Sequence, residues 1–133
     1  MKVSTKGRYG LNIVLDIANS KGAPVRIAEI AARQGIPFKY AEQIAGTLTR
    51  RGLLKSVRGA QGGYLLNKPT EEYTVGEIVR CLEGDVLPVG CVGDAHVCER
   101  TNCTARDVWM GLHRVINAYL DGITLHDLIT QGE

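Results

Sequence analysis

Nowhere does the sequence build a run approaching the roughly 18 apolar residues of a membrane-spanning helix. Its opening, Met1-Lys2-Val3-Ser4-Thr5-Lys6, leads into no apolar secretory core. The expectation is a cytoplasmic protein with no membrane partner, in a compartment where thiols stay reduced. Internal repeats and low-complexity tracts are missing. No acid/base pair and no nucleophile with a persuasive partner histidine is evident, so neither an enzyme nor a small-molecule substrate is expected. Acidic residues are scarce in one half: residues 1–70 hold 3 Asp/Glu against 12 Lys/Arg, and residues 71–133 hold 11 against 4. The net charge of +2 therefore hides a first half at +9 and a second at −7. A half that basic fits a polyanionic partner, against the alternative of a merely solvated basic face.

What is present is mostly helical. A chain of 133 residues buries roughly two-thirds of its unfolded surface and folds without disulfides. The first helix is expected from about Ser4 to Ser20, with Ser4 as N-cap and Tyr9, Ile13, Val14, Ile17 and Ala18 as its apolar stripe. Lys2, Lys6 and Arg8 cluster at its start, where cations oppose the helix dipole. A short helix over Ile27–Gln34 stops at Gly35, and a third runs from Pro37 to about Arg51. Two short helices across a tight glycine-containing turn match helix-turn-helix spacing. In the third helix Tyr40, Ile44 and Leu48 face inward, and Lys39, Glu42, Gln43, Thr47 and Arg50 face outward.

After Gly52 the period changes to that of strands. Leu53–Arg58 and Tyr64–Asn67 flank the turn Gly59-Ala60-Gln61-Gly62-Gly63, a β-hairpin directly after a recognition-type helix. That order predicts a winged helix. A phosphate-cradling glycine loop is not expected, because this turn lies between strands and no helix N-terminus follows it. Lys6, Arg8, Lys39, Arg50 and Arg51 are the phosphate candidates; Tyr40, Glu42 and Gln43 the base-edge candidates; Arg58 the contact from the wing tip.

Thr74-Val75-Gly76-Glu77 reads as a capping box that opens a helix with Cys81 as a small buried hydrophobe. Thr104-Ala105-Arg106-Asp107 reads as another, opening a long helix to about Asp121. Val108, Trp109, Leu112, Val115, Ile116, Tyr119 and Leu120 give that helix a stripe wide enough to pack on two sides, against its own domain and a twin chain. Thr124 caps a short final helix. The division expected is 1–84 for the DNA-binding region, 85–103 for a cysteine loop and 104–133 for a dimerisation segment. The fold class is mainly α with a small β-hairpin.

Three of the four cysteines fall within 13 residues, as Cys91-x6-Cys98-x4-Cys103. In a reducing compartment such clustering favours metal binding, with a reactive-thiol switch or inert cysteines as alternatives. The spacing is not the C-x2-C of zinc ribbons or ferredoxins. Asp94, His96, Glu99 and Asp107 are the local candidates for a fourth ligand, with His96 and Asp107 foremost. A loop histidine is more often just solvated, and Asp107 has a competing capping role.

Taken together, Ser4-x-Lys6-x-Arg8-Tyr9, Tyr40-Ala41-Glu42-Gln43-Ile44, Arg51-Gly52-Leu53, Arg58-Gly59-Ala60-Gln61-Gly62-Gly63-Tyr64, Leu82-Glu83-Gly84 and Thr124-Leu125 resemble the IscR-type winged-helix regulators, relatives of NsrR and CymR. The resemblance runs nearly the full length. It implies a homodimeric transcription regulator that binds partly palindromic double-stranded operators. It also implies an iron–sulfur cluster on Cys91, Cys98 and Cys103, [2Fe-2S] in preference to [4Fe-4S], and control of cluster-biogenesis genes. Glu42 inherits a role in selecting between operator classes. The family's usual histidine, three residues after the third cysteine, is here Arg106. A nitric-oxide-responsive or a cluster-free thiol-redox regulator is the alternative within the family; a zinc-stabilised protein or an iron–sulfur electron carrier is the alternative outside it.

Overall fold

The computed structural model of the chain describes residues 2–89, 92 and 103–131. Helix α1 spans Thr5–Ala18, α2 Ile27–Gln34, α3 Phe38–Arg50, α4 Val75–Glu83, α5 Arg106–Asp121 and α6 Leu125–Gln131. Strands β1 (Leu54–Val57) and β2 (Gly63–Leu66) pair antiparallel, and a 3-10 turn covers Thr70–Glu72. The fold is mainly α with one hairpin, as the periodicity predicts. No helix among the described residues is long and apolar enough to cross a membrane.

Local chemistry sets most boundaries. Ser4, in extended backbone, accepts from the Gly7 N–H at 3.4 Å and caps α1. Gly35 ends α2 at φ +66°, a left-handed conformation that glycine adopts without steric cost. Thr124 and Asp127 form a reciprocal capping box at 3.0 and 3.1 Å. The box at Thr74 is half made: its hydroxyl accepts from the Glu77 N–H at 3.0 Å, while the Glu77 carboxylate turns to Lys68 Nζ at 2.7 and 2.8 Å. The expected box at Thr104 does not form. α5 begins at Arg106 with Ala105 in helical backbone at its N-cap and no capping side chain. The Cys103 and Ala105 carbonyls accept from Arg106 and Val108 at 3.2 and 3.1 Å. The chain thus enters α5 through a tight turn, without the extended N-cap that a capping box requires.

One core joins α1, α2, α3, β1, α4 and α6 through Ile13, Ile17, Ile30, Ile44, Leu48, Leu54, Tyr73, Ile78 and Leu125. α6 completes the core that residues 1–84 build. Leu125 is fully buried and its N–H donates to the Tyr73 carbonyl at 3.1 Å. Tyr73, also fully buried, fixes the hairpin's base: its hydroxyl donates to the Leu53 carbonyl and accepts from the Asn67 N–H at 2.8 Å. Burial pushes its phenol up, so it stays a protonated donor. A second cluster of Val75, Val79 and Val86 receives Ile116, Leu120, Ile123 and Leu128.

The hairpin is pinned at both ends. Tyr64 exchanges backbone hydrogen bonds with Val25 at 3.0 and 2.8 Å, which makes Val25 a third, one-residue strand. Gly63 permits this approach. Its φ is +150°, and a Cβ there would lie 2.5 Å from the Val25 carbonyl. Gly63→Ala is expected to lower stability by about 1–3 kcal/mol through strained backbone and this clash. The urea midpoint measures the loss.

α1 and α2 are tied by Asp16, whose carboxylate takes Arg33 Nε at 3.0 Å, Arg33 Nη2 at 2.7 Å and Gln34 Nε2 at 3.0 Å. Burial would raise this carboxyl, but the bonds from Arg33 and Gln34 and the Arg33 charge outweigh it and hold it below its ordinary 3.8. A carboxyl lowered by folding stabilises fully above its unfolded pKa and stops doing so as pH falls through the folded value. The stability difference between the wild type and Asp16→Asn is therefore expected to be constant above about pH 5 and to vanish in strong acid. Thermal unfolding across that range checks it.

Candidate nucleic-acid interface

α3 presents its polar side because Ala41, Ile44, Ala45 and Leu48, all fully buried, fix its phase against the core. Lys39, Glu42, Gln43 and Arg50 are exposed as a result. α1 crosses beside it, held by the Tyr9 and Tyr40 rings packed edge to face at 5.7 Å and 73°. This crossing brings Lys6 of α1 to Tyr40, Glu42, Gln43, Thr47 and Arg50 of α3 around a surface hollow of about 440 Å³. Five of the nine residues expected to read DNA thus share one concavity. Two of the five are cationic, and Arg50 is steadied by Thr47 Oγ1 at 3.2 Å.

The other four are exposed outside its lining. Arg8 is exposed one residue past Gly7 on α1, Lys39 is exposed in the first turn of α3, and Arg51 is exposed at its C-cap. Arg58 is exposed where β1 ends, and a turn closed by Gly62 N–H to the Gly59 carbonyl at 3.0 Å follows it. Arg26 was not expected. At the N-cap of α2, it donates to the Ala60 carbonyl and so straps the wing turn to the helix-turn-helix. Its only sequence signal is membership of the basic half. Phe38, which opens α3, is 47% exposed.

A larger hollow of about 610 Å³ lies between α1 and α2, lined by Asn12, Asp16, Glu29 and Arg33 among others. Its arginine is already neutralised by Asp16, so it suits a polyanion less well than the hollow on α3.

α5 carries two apolar faces. Ile116 and Leu120 pack on the second cluster. Val108, Trp109, Val115 and Tyr119 are exposed at 62%, 37%, 65% and 69%. Arg80 ties α5 to α4 by donating to Asn117 Oδ1 at 2.8 Å and to Asp121, and His113 Nε2 lies 3.1 Å from Asp85 Oδ1.

Of the expected cluster ligands, Cys91, Cys98 and His96 lie outside the described residues. Cys103 is half-buried just before α5, and Asp107 is exposed in the helix's first turn. Cys81 is half-buried against the main core, where burial pushes its thiol up. Among the described residues no three His, Cys, Asp or Glu side chains gather as a metal site.

Comparison with known proteins places this geometry. A model of the Rrf2 family, described as "Iron-dependent Transcriptional regulator", matches residues 3–131. The chain is 39% identical to the HTH-type transcriptional regulator CymR of Bacillus subtilis over 136 residues, all of this chain and 94% of the relative. It is 37% identical to the HTH-type transcriptional regulator IscR of Escherichia coli over 134 residues, all of this chain and 83% of the relative. The solved structure of T. potens IscR superposes with a TM-score of 0.83 at 38% identity, covering 100% of this chain and 89% of that one. Basic concavity, wing and full-length similarity agree: the chain belongs to the Rrf2 family of transcriptional regulators.

Proposed function

We propose that the chain is a homodimeric transcription regulator that binds double-stranded operator DNA and senses iron–sulfur cluster status, with control of cluster-biogenesis genes as its output. The observation that carries the DNA reading is the hollow shared by Lys6 and α3. An acceptor and an amide, Glu42 and Gln43, line it together with Lys6 and Arg50. Lys6, Arg8, Lys39, Arg50 and Arg51 take phosphates, which give affinity and salt dependence. Gln43 pairs with adenine and Glu42 accepts from cytosine, each worth about 1–3 kcal/mol of discrimination. Tyr40 offers its hydroxyl to the same base edges, and Arg58 reaches a phosphate or minor groove from the wing.

The exposed stripe of α5 is the surface proposed for the second copy. A helix apolar on two sides needs two partners. Val115→Asp with Tyr119→Asp is expected to yield a folded monomer. Sedimentation checks the mass, and circular dichroism checks that the helices remain.

Cys91, Cys98 and Cys103 would hold the cluster, [2Fe-2S] before [4Fe-4S], with His96 or Asp107 as the fourth ligand. The donor set fits: thiolates are the ligands iron–sulfur clusters require, and Cys103 is a free thiol. The bound group supplies a redox- and oxidant-sensitive centre. Thr104 and Ala105 alone separate Cys103 from α5, so ligation there bears on the helix that presents the dimer face. A second reading is favoured by Arg106, which cannot ligate and stands first in α5. It is a nitric-oxide-responsive or cluster-free thiol-redox regulator; a solved structure at 37% identity is titled the global cysteine regulator of B. subtilis, CymR.

Anaerobic reconstitution with iron and sulfide, followed by spectroscopy and metal counts, separates the cluster-bearing readings from the cluster-free thiol one, and exposure of the reconstituted protein to nitric oxide separates the cluster-bearing readings from each other. The cluster reading expects stoichiometric iron and sulfide and a visible charge-transfer spectrum in the wild type. It also expects loss of spectral integrity in either His96→Ala or Asp107→Ala. A colourless protein without iron or zinc would favour the thiol reading instead.

A further inference from the structure

α1 holds two buried glycines one turn apart, Gly7 and Gly10, although glycine inside a helix costs about 1 kcal/mol relative to alanine. The notch they leave is filled by the end of α4. A Cβ on Gly10 would lie 1.9 Å from Leu82 Cδ1, and one on Gly7 would lie 2.5 Å from Glu83 Oε1. That same oxygen accepts from the Gly7 N–H at 3.2 Å, from the Ser4 N–H and from the Ser4 hydroxyl. α4 therefore supplies, from 76 to 79 residues away, the negative charge that the lysine-rich start of α1 lacks. No acidic residue stands in α1's own first turn.

We infer that Glu83 is a positioning residue for DNA binding: it fixes the first turn of α1 and with it Lys6 and Arg8. Lys6 lines the hollow on α3, and Arg8 bonds to Thr5 at 3.5 Å in the same turn. Without Glu83 the Gly7 N–H and both Ser4 groups lose their common acceptor. The first helical turn, whose N–H groups have no intrahelical partners, then frays and releases both cations. Glu83 is also the last residue of α4, and Gly84, at φ +77°, turns the chain from it into the cysteine-bearing segment. This inference rests on the DNA reading proposed above.

The test titrates a mixed-sequence DNA duplex with the full chain at several salt concentrations. Glu83→Ala is expected to weaken binding about tenfold and to reduce the salt slope by about two, one unit for each released cation. Glu83→Gln, which keeps an acceptor oxygen, is expected to restore most of both. In a Lys6→Ala/Arg8→Ala background, Glu83→Ala is expected to cost no further affinity while still lowering the melting temperature. A role confined to stability would leave affinity and slope of the folded Glu83→Ala protein equal to wild type, and that result overturns the inference. So does a further affinity loss in the double-alanine background. Amide exchange separates this from failure of the DNA reading. If the wild type binds no duplex, the DNA reading falls, whereas the capping joint falls only if Gly7 exchanges equally fast in wild type and Glu83→Ala.

Discussion

Lys6→Glu combined with Arg50→Glu is expected to weaken duplex DNA binding at least a hundredfold at physiological salt, about 3 kcal/mol. Both side chains line the hollow that holds Glu42 and Gln43. Each replacement removes a counterion-releasing phosphate contact and places a carboxylate against the phosphates. The salt slope should fall by about two units. The effect is large because it is electrostatic twice over: attraction is lost and repulsion is gained in a concavity that already contains Glu42. Neither residue packs in the core, since Arg50 is exposed and Lys6 half-exposed. Circular dichroism and the melting temperature should therefore stay close to wild type. Fluorescence anisotropy at two salt concentrations is sufficient. Unchanged affinity and slope would move the interface elsewhere on the basic half.

The second large effect is expected from Cys103→Ala, which should leave the reconstituted protein nearly free of iron and sulfide. Two thiolates at positions 91 and 98 cannot complete the coordination of a cluster, and the nearby donors His96 and Asp107 do not replace a thiolate's charge or softness. Cys81→Ala is the matched control. Cys81 lies on α4, half-buried against the core, and burial holds its thiol protonated, so its removal should leave the iron content intact. Equal iron in both variants would detach the metal from the 91–103 segment. The Cys103→Ala protein should still fold and bind non-specific DNA, because the cations of the hollow belong to α1 and α3.

The helices, the hairpin and the basic half are written locally. Periodicity places Ile13, Ile17, Ile44 and Leu48 in the core, and all four are buried. Gly62 and Gly63 mark the wing, although the reason Gly63 is needed, the Val25 backbone beside it, comes from a distant loop. Contacts between remote residues left no periodic trace. Asp16 with Arg33 is one such contact, and the Tyr73 hydroxyl with Leu53 another. The most consequential is Glu83 with Ser4 and Gly7. Lys2, Lys6 and Arg8 at a helix start looked electrostatically misplaced, and the compensating carboxylate lies at the end of another helix. Thr104 misled in the opposite sense. Its spacing to Asp107 matches a capping box, but Ala105 is helical in backbone, and spacing alone cannot report that conformation. Around the cysteines, residue type gives the donor chemistry but not the fourth ligand, because Asp94, His96, Glu99 and Asp107 all stand within four residues of a cysteine.

DNA affinity is expected to depend on the cluster. The most direct measurement selects duplexes from a random pool with reconstituted protein and with cluster-free protein. Each selected sequence is then titrated anaerobically against both forms at one salt concentration. Coupling of ordinary strength, about 1–3 kcal/mol, predicts that at least one class of selected duplex binds the two forms with affinities differing by about fivefold or more. Equal affinities of the two forms for every selected sequence would contradict the account.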